Sequence, residues 1–323
     1  MGKTDIITKD YVRDGHIFAD VFNKLIYEGR NVIDPKALRS VDATVIGMPY
    51  GTEDAGVPVQ KFRDALKCLG AMEDDSAIYL LLGVEVQSET HYAMPVRNML
   101  YDALQYVAQV DEAAKSYHEK NGAKVKKRST PAEYLSGFYR DDKLLPVITV
   151  TLHLGVDEWD GPMTLHEMLA LNRSELLEFL PDYRMNLISP MSLTDEEINQ
   201  FHTSLREVML FIKYSKDKKK LGELLCSDER FQAMERDVVR VIKAVTRVEL
   251  ELKEEQEVVD VCQAWKEMGE DMRREGRKEG QRKSQMDFAE KLLRKAMFSL
   301  EEISELTELP LEEVKELALK CGN

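Results

Sequence analysis

Apolar positions at helical spacing open the chain. Phe18, Val21, Phe22, Leu25 and Ile26 recur over residues 6 to 29, which predicts a single helix with Gly29 as its stop. Asp34 followed by Pro35 is a cap and first-turn pair for a second, short helix. Glycines and prolines punctuate residues 47 to 58 and predict a loop. Two strands are then expected, Val57 to Leu69 and Ala77 to Val86, joined at the acidic turn Glu73-Asp74-Asp75. The second strand, AIYLLLGVEV, is almost wholly apolar, as suits a central strand covered on both faces. A helix follows from Met94, with Val96, Met99, Leu100, Ala103, Leu104 and Val107 as the expected buried stripe and Arg97 and Tyr101 on another face. Leu144 to Leu154 and Arg184 to Ser189 read as further strands, and from Thr194 the pattern is helical almost to the end. The charged, glycine-punctuated stretch Gly269 to Lys283 is expected to set off a small terminal unit. That unit opens on the capping box Ser299 to Glu302, and a second helix follows Pro310. The division predicted is an α/β domain over 1–192, a charged helical region over 193–283 and a helical unit over 284–323.

Composition narrows this picture in a few places. No apolar run approaches the roughly 18 residues a membrane span needs, and Met1 to Asp10 lacks the apolar core of a signal peptide, so a cytoplasmic protein with no membrane partner is expected. The four cysteines, Cys68, Cys226, Cys262 and Cys321, are widely spaced without a CxxC pair, which favours reduced thiols over a zinc site or disulfide framework. The net charge of −14 opposes simple phosphate binding. Lys115 to Arg128 is locally basic, however, so Lys124, Lys126, Lys127 and Arg128 stand either as phosphate contacts or as a solvated loop. The six histidines show no HxxxH or HxH spacing and read as structural, with His91, four residues past Gln87, as the exception. Phosphate-cradling glycine motifs and a serine-nucleophile elbow do not occur.

The segment with chemical content is Gly83-Val84-Glu85-Val86-Gln87. Residues two apart on a strand share a face, so Glu85 and Gln87 project together from the end of an apolar strand. A carboxylate there is costly unless it is paired or holds a metal. Pairing with Arg97 is one outcome. The other brings Asp64, from the preceding strand candidate, beside Glu85, and hard oxygens from neighbouring strands suit Mg²⁺. Twenty-one residues separate the two acids, a long interval that demands an extended turn over Cys68 to Ala77.

The same segment, with His91-Tyr-Ala-Met-Pro-Val-Arg-Asn-Met-Leu-Tyr-Asp-Ala-Leu-Gln-Tyr, Phe18-Ala-Asp20-Val-Phe-Asn, Phe62-Arg-Asp64 and Leu145-Pro-Val-Ile-Thr-Val, resembles the Rpn family of recombination-promoting nucleases, also described as transposases. The resemblance spans residues 10 to 190 and rests on the order of several motifs. It implies a restriction-endonuclease-like PD-(D/E)XK core, a mixed central sheet flanked by helices, followed by an all-α C-terminal region. It implies Asp64, Glu85 and the Val86 backbone carbonyl as ligands of Mg²⁺ or Mn²⁺, with Gln87 where many relatives carry lysine. The wider superfamily leaves a 3′-hydroxyl and a 5′-phosphate. An amide brings no positive charge to a developing oxyanion, so Gln87 is expected to orient the attacking water, with Lys61 or Lys67 assisting. Asp20 is either an auxiliary acid near the metal or a helix-pairing residue. Arg97 and Tyr101 either contact the scissile phosphate, fix Glu85 or serve the fold.

Two functions follow from these expectations: a Mg²⁺-dependent DNA endonuclease in recombination, mobile-element biology or defence, or a catalytically weak PD-(D/E)XK fold acting as a DNA-binding or protein-interaction module. A DDE-type transposase is disfavoured, because the acids sit on one compact strand pair. The long charged helices after residue 229 predict self-association, and the acidic faces of the last two helices favour packing or oligomerisation over DNA contact.

Overall fold

The structure, a computed structural model, describes residues 3–40, 44–47, 59–62, 65–73, 76–122, 130–170, 174–250, 257–295 and 297–321. The expected first helix is two: α1 (Lys3–Arg13) and α2 (Gly15–Tyr27). Asp14 breaks it, because its extended backbone and a carboxylate accepting from His16 N (2.8 Å) and Ile17 N (3.3 Å) start a new helix. The predicted stop holds: Glu28 is left-handed at φ 56°, and Gly29 follows at φ 84°, where a Cβ would lie 2.6 Å from that of Gln200. The Asp34-capped turn forms a 3₁₀ helix, Pro35–Ala37.

Strands follow: β1 (Leu38–Ser40), β2 (Thr44–Gly47), β3 (Val59–Phe62), β4 (Ala65–Glu73) and β5 (Ser76–Gln87). The expected Val57 to Leu69 strand is therefore divided between β3, which pairs with β2 in a separate two-stranded sheet, and β4. Next come α3 (Met94–Gly122), α4 (Pro131–Ser136), β6 (Val147–His153) and β7 (Asn186–Ile188). The main sheet has the order β1-β4-β5-β6-β7. Its first three strands pair antiparallel, and β5, β6 and β7 run parallel. The β4–β5 ladder runs from Ala65↔Val84 to Glu73↔Ser76, so the long interval between the two acids is a continuous hairpin and not an extended turn.

Alternation along β5 gives its two faces opposite characters. Leu82, Val84 and Val86 share the apolar face with Val150 and Leu152 of β6. Lys67 pairs with Leu82 and so lies on that face, where its ammonium donates to Arg13 O (2.8 Å) and sits 4.9 Å from the Phe18 ring. This fixes α1 and α2 on the apolar side. Gly83, Glu85 and Gln87 share the other face with Thr149, Thr151 and His153, and α3 covers it. The stripe expected on α3 is accordingly displaced. Val96 and Ala103 are exposed, while Asn98, Tyr101, Asp102 and Gln105 are buried beside Leu104. The reason lies in β6, whose threonines offer that helix a polar surface.

The helices after residue 192 do not form a separate region. α5 (Asp195–Ile198), α6 (Leu205–Tyr214), α7 (Lys218–Ser227), β8 (Met234–Glu235), α8 (Arg236–Thr246) and β9 (Val258–Val259) belong to one compact unit with the sheet, comprising Met1–Val248 and Glu254–Val259. Val208, Phe211, Val239 and Ile242 are fully or almost fully buried. Side-chain bonds tie these helices to the N-terminal pair, as in Thr4 Oγ1 to Ala244 O (3.2 Å) and Tyr11 with Ser204 Oγ (2.9 Å).

The second unit, Glu249–Lys253 and Asp260–Asn323, contains α9 (Val261–Lys295), α10 (Leu300–Thr307) and α11 (Leu311–Cys321). The glycine-punctuated stretch that was expected to separate elements lies inside α9, which passes through it unbroken. The last turns of α9 pack with α10 and α11 around Leu292, Leu293, Ile303, Val314 and Leu317. The Ser299 capping box forms as predicted. Cys226 and Cys262 are disulfide-bonded, which corrects the expectation of free thiols; spacing along the chain does not report spatial distance. Among the described residues no helix is long and apolar enough to cross a membrane.

Candidate functional site

The site is built on the polar face of β5 and β6. Glu85 is fully buried, and its Oε2 lies 3.1 Å from Nη2 of Arg97. Arg97 is held in turn by Tyr101 one turn along α3: Arg97 Nε donates to the Tyr101 hydroxyl at 3.1 Å, and the guanidinium carbon is 5.6 Å from the ring centroid. Of the alternatives open for this pair, the geometry shows the one in which Arg97 fixes Glu85. The Arg97 side chain keeps 31% of its surface exposed, so the guanidinium bridges the buried carboxylate and solvent.

Gln87 is half-buried at the end of β5 and pairs with His153 of β6. Its backbone carbonyl accepts from Leu154 N at 2.8 Å. In a parallel ladder alternate residues turn their peptide groups to the same neighbour, so Glu85 and Gln87 bond toward β6 and the Val86 carbonyl is directed to the β4 side. The β4–β5 ladder reaches Ala65↔Val84 there. Asp64 and Glu85 are the next residue on either chain; Asp64 itself lies outside the described residues, as do Lys124, Lys126, Lys127 and Arg128. Lys61 lies in β3 opposite Val45, in the separate two-stranded sheet. Lys67 is corrected as an assisting charge, because the sheet separates its face from that of Glu85. Burial pushes the Lys67 ammonium below its ordinary pKa, against the pull of Asp14.

Asp20 has a structural task. Its Oδ2 accepts from His202 N (2.9 Å), Thr203 N (2.8 Å) and Thr203 Oγ1 (2.6 Å), and Oδ1 accepts from His202 N (3.1 Å). The carboxylate, 3% exposed, therefore anchors the segment leading into α6, where the sequence left open a place near a metal.

Below Glu85 a series of side-chain bonds joins α3 to β6 and escaped the sequence reading. Asn98 Nδ2 donates to Thr151 Oγ1 (2.9 Å), Thr149 Oγ1 donates to Asp102 Oδ1 (2.5 Å), and the Tyr106 hydroxyl accepts from Val147 N (3.1 Å). Gln109 then closes a two-way bond with the Leu145 backbone, at 2.6 and 3.2 Å. Tyr183 adds a 2.6 Å bond to Asp102 Oδ2. The signal available in the sequence was the helical spacing of Asn98, Asp102, Gln105 and Gln109, opposite threonines at alternate positions of β6.

Two polar atoms near the site, Asn98 Oδ1 and His91 Nδ1, are buried without a hydrogen-bond partner. A desolvated, unpaired group costs about 1–3 kcal/mol. His153, at the sheet end, is 1% exposed; its Nδ1 lies 3.3 Å from Ser189 Oγ and its ring meets Trp159 edge-on at 5.4 Å. Burial holds the imidazole pKa below its ordinary value, with Asp157 and Asp160 pulling the other way.

The donor chemistry fits a hard divalent cation: a carboxylate, a main-chain carbonyl directed to the same strand edge, and an unpaired amide oxygen. Among the described residues no cluster of three or more His, Cys, Asp and Glu is placed to hold a metal, so a second carboxylate would have to come from Asp64. A cavity of about 1050 Å³ lies elsewhere in the unit, lined by Tyr11, Asp14, Glu207, Arg230, Glu235 and Arg240. Its buried Glu207 is paired with Arg206 (2.7 Å) and Arg230 (2.9 Å), and Asp14 caps α2, so these groups serve the fold and are not preferred as the chemical site over Glu85. Comparison of the chain with protein-family models, curated proteins and solved structures finds no match.

Proposed function

We propose that the chain is a divalent-metal-dependent DNA endonuclease with a PD-(D/E)XK type core, as the resemblance of its motifs to the Rpn nucleases implies. The observation that carries this reading is Glu85: a fully buried carboxylate at the end of a central strand, next in sequence to the Ala65↔Val84 pair that Asp64 precedes on the other strand. Mg²⁺ would be held by Asp64, Glu85 and the Val86 carbonyl, with Mn²⁺ as a substitute. Bound there it supplies Lewis acidity and a water of lowered pKa.

The chain's own residues do the rest. Arg97 offsets the charge of Glu85 and fixes its orientation, so the carboxylate does not have to reorganise on binding. Tyr101 holds Arg97. Gln87, two residues on and on the same face, orients the attacking water through its amide. Lys61, Lys124, Lys126, Lys127 and Arg128 remain phosphate contacts within this proposal, and self-association through the C-terminal helices remains part of it. So does a cytoplasmic location, although the disulfide-bonded Cys226 and Cys262 oppose it.

Plasmid nicking in Mg²⁺ by the full chain, beside Asp64→Ala and Glu85→Ala, tests the reading. Activity lost in both variants supports it, and equal nicking by all three removes it. The second reading is a catalytically weak module that binds DNA or protein. It is favoured by the amide at Gln87 and the net charge of −14; DNA retention without nicking would select it.

A further inference from the structure

We infer that Asn98 is a positioning residue of the ion site at Glu85, its Oδ1 accepting from a water of the ion's hydration shell; this rests on the nuclease reading above. Asn98 is fully buried, yet its Oδ1 accepts no hydrogen bond. Its Nδ2 is used, on Thr151 Oγ1 at 2.9 Å. A buried amide with half its capacity idle is a poor choice for a purely structural position, where leucine would fill similar space with nothing to satisfy. Such an orphan in a folded interior points to a water, an ion or a catalytic task.

The location selects among these. Arg97 and Asn98 are consecutive on α3: the first reaches Glu85, and the second reaches Thr151. Glu85 and Thr151 are register partners on β5 and β6, so the idle oxygen and the carboxylate occupy the same buried layer. Mg²⁺ dehydrates reluctantly and retains several waters, whose protons need acceptors in a dry site. A neutral amide oxygen accepts them without adding a second negative charge beside Glu85. If the amide were turned over, Oδ1 would face Thr151 and the idle group would be an NH₂ donor, which offers nothing to the protons of such a water. Asn98→Asp separates the two orientations, because it keeps the acceptors and removes the donors.

The test is calorimetric titration of Mn²⁺ into the metal-free full chain, without DNA, alongside metal-free melting curves. Wild type, Glu85→Ala, Asn98→Leu and Asn98→Asp are compared. The expected result is a loss of about 10–100-fold in Mn²⁺ affinity for Asn98→Leu, the range for groups that orient metal ligands. Its metal-free melting point should be equal to or above that of wild type, and Asn98→Asp should bind at least as tightly as wild type. A merely structural Asn98 would move the melting point and leave the affinity unchanged. Wild-type affinity in Asn98→Leu overturns the inference while the nuclease reading stands. So does Asn98→Asp binding as weakly as Asn98→Leu. If wild type and Glu85→Ala bind Mn²⁺ alike, the ion site at Glu85 itself is wrong and both fall. Should Asn98→Leu melt below the assay temperature, Asn98→Ala takes its place with the same outcomes.

Discussion

Asp20 separates two accounts of an acid that the family resemblance places near the metal. Its carboxylate receives the His202 and Thr203 amides and the Thr203 hydroxyl at 2.6 to 3.1 Å, and it is 3% exposed. Hydrogen bonds to a charged group contribute about 1.5–3 kcal/mol each. Asp20→Ala leaves three donors without their acceptor, and water entering the gap recovers part of the loss. A net cost of roughly 3–5 kcal/mol follows, similar to removing one partner of a buried pair. In a unit of this size each kcal/mol shifts the melting point by about 2–4 °C, so the expected drop is roughly 6–20 °C. Asp20→Asn keeps one acceptor oxygen and should recover about half of it. The assay is thermal melting followed by circular dichroism, with and without 5–10 equivalents of Mn²⁺ (about the excess that saturates a site of modest affinity). Both variants should lose the same amount in either condition. The reasoning is refuted if Asp20→Ala melts within about 1 °C of wild type without metal but loses Mn²⁺-dependent stabilisation, because the carboxylate would then belong to the ion and not to the turn.

The remaining predictions concern local environments. His153 is held below its ordinary pKa by burial, so the folded state favours the neutral ring. Its contribution is fully present above the unfolded value, near 6.5, and is lost as pH falls from there through the folded value; the melting point should decline over that window, and a His153→Gln variant should show a flatter profile. Gly155→Ala should destabilise by about 2–3 kcal/mol, since a Cβ would lie 2.4 Å from His153 Nε2 and 2.7 Å from Ser88 O. Gly276→Ala should stabilise the second unit by up to about 1 kcal/mol, because nothing lies within 4 Å of a Cβ there; an unchanged urea midpoint would contradict it.

Much of the strand framework was legible because it is written in short-range pattern. The near-continuous apolar run before Gln87 could only be a central strand, and β5 extends one residue beyond the expectation at either end. The acid-x-Gln spacing fixed a shared face for Glu85 and Gln87 without knowledge of any partner. What remained hidden depends on contacts distant in sequence. Asp14 is one polar residue within an apolar period, and only the geometry of its carboxylate shows that it starts a helix and does not merely interrupt one. Asp20 gave no sign that residues 202 and 203 need an acceptor. In α9, Gly269, Gly276 and Gly280 read as breaks, but each glycine costs a helix only up to about 1 kcal/mol, less than a long run of compatible neighbours supplies.

The misplaced stripe on α3 is the most informative discrepancy, because hydrophobic periodicity assumes that a helix buries its apolar side. Here the buried side is polar, and the reason is a match of lengths. From Asn98 to Asp102 to Tyr106 the helix advances four residues at a time, about 6 Å per step at 1.5 Å per residue. From Thr151 to Thr149 to Val147 the strand retreats two residues at a time, about 6.6 Å per step. Helix and strand run in opposite directions, so each step on one meets the next bond on the other. A slip of one residue on α3 would turn every one of these groups away from its partner, whereas an apolar interface would tolerate it by repacking. Register is therefore set by polar matching, and Arg97 inherits it. Arg97 stands immediately before Asn98, the first bond in the series, and reaches Glu85 because Asn98 is pinned on Thr151. Holding a guanidinium against a buried carboxylate needs that positional certainty, which a stripe of leucines would not provide.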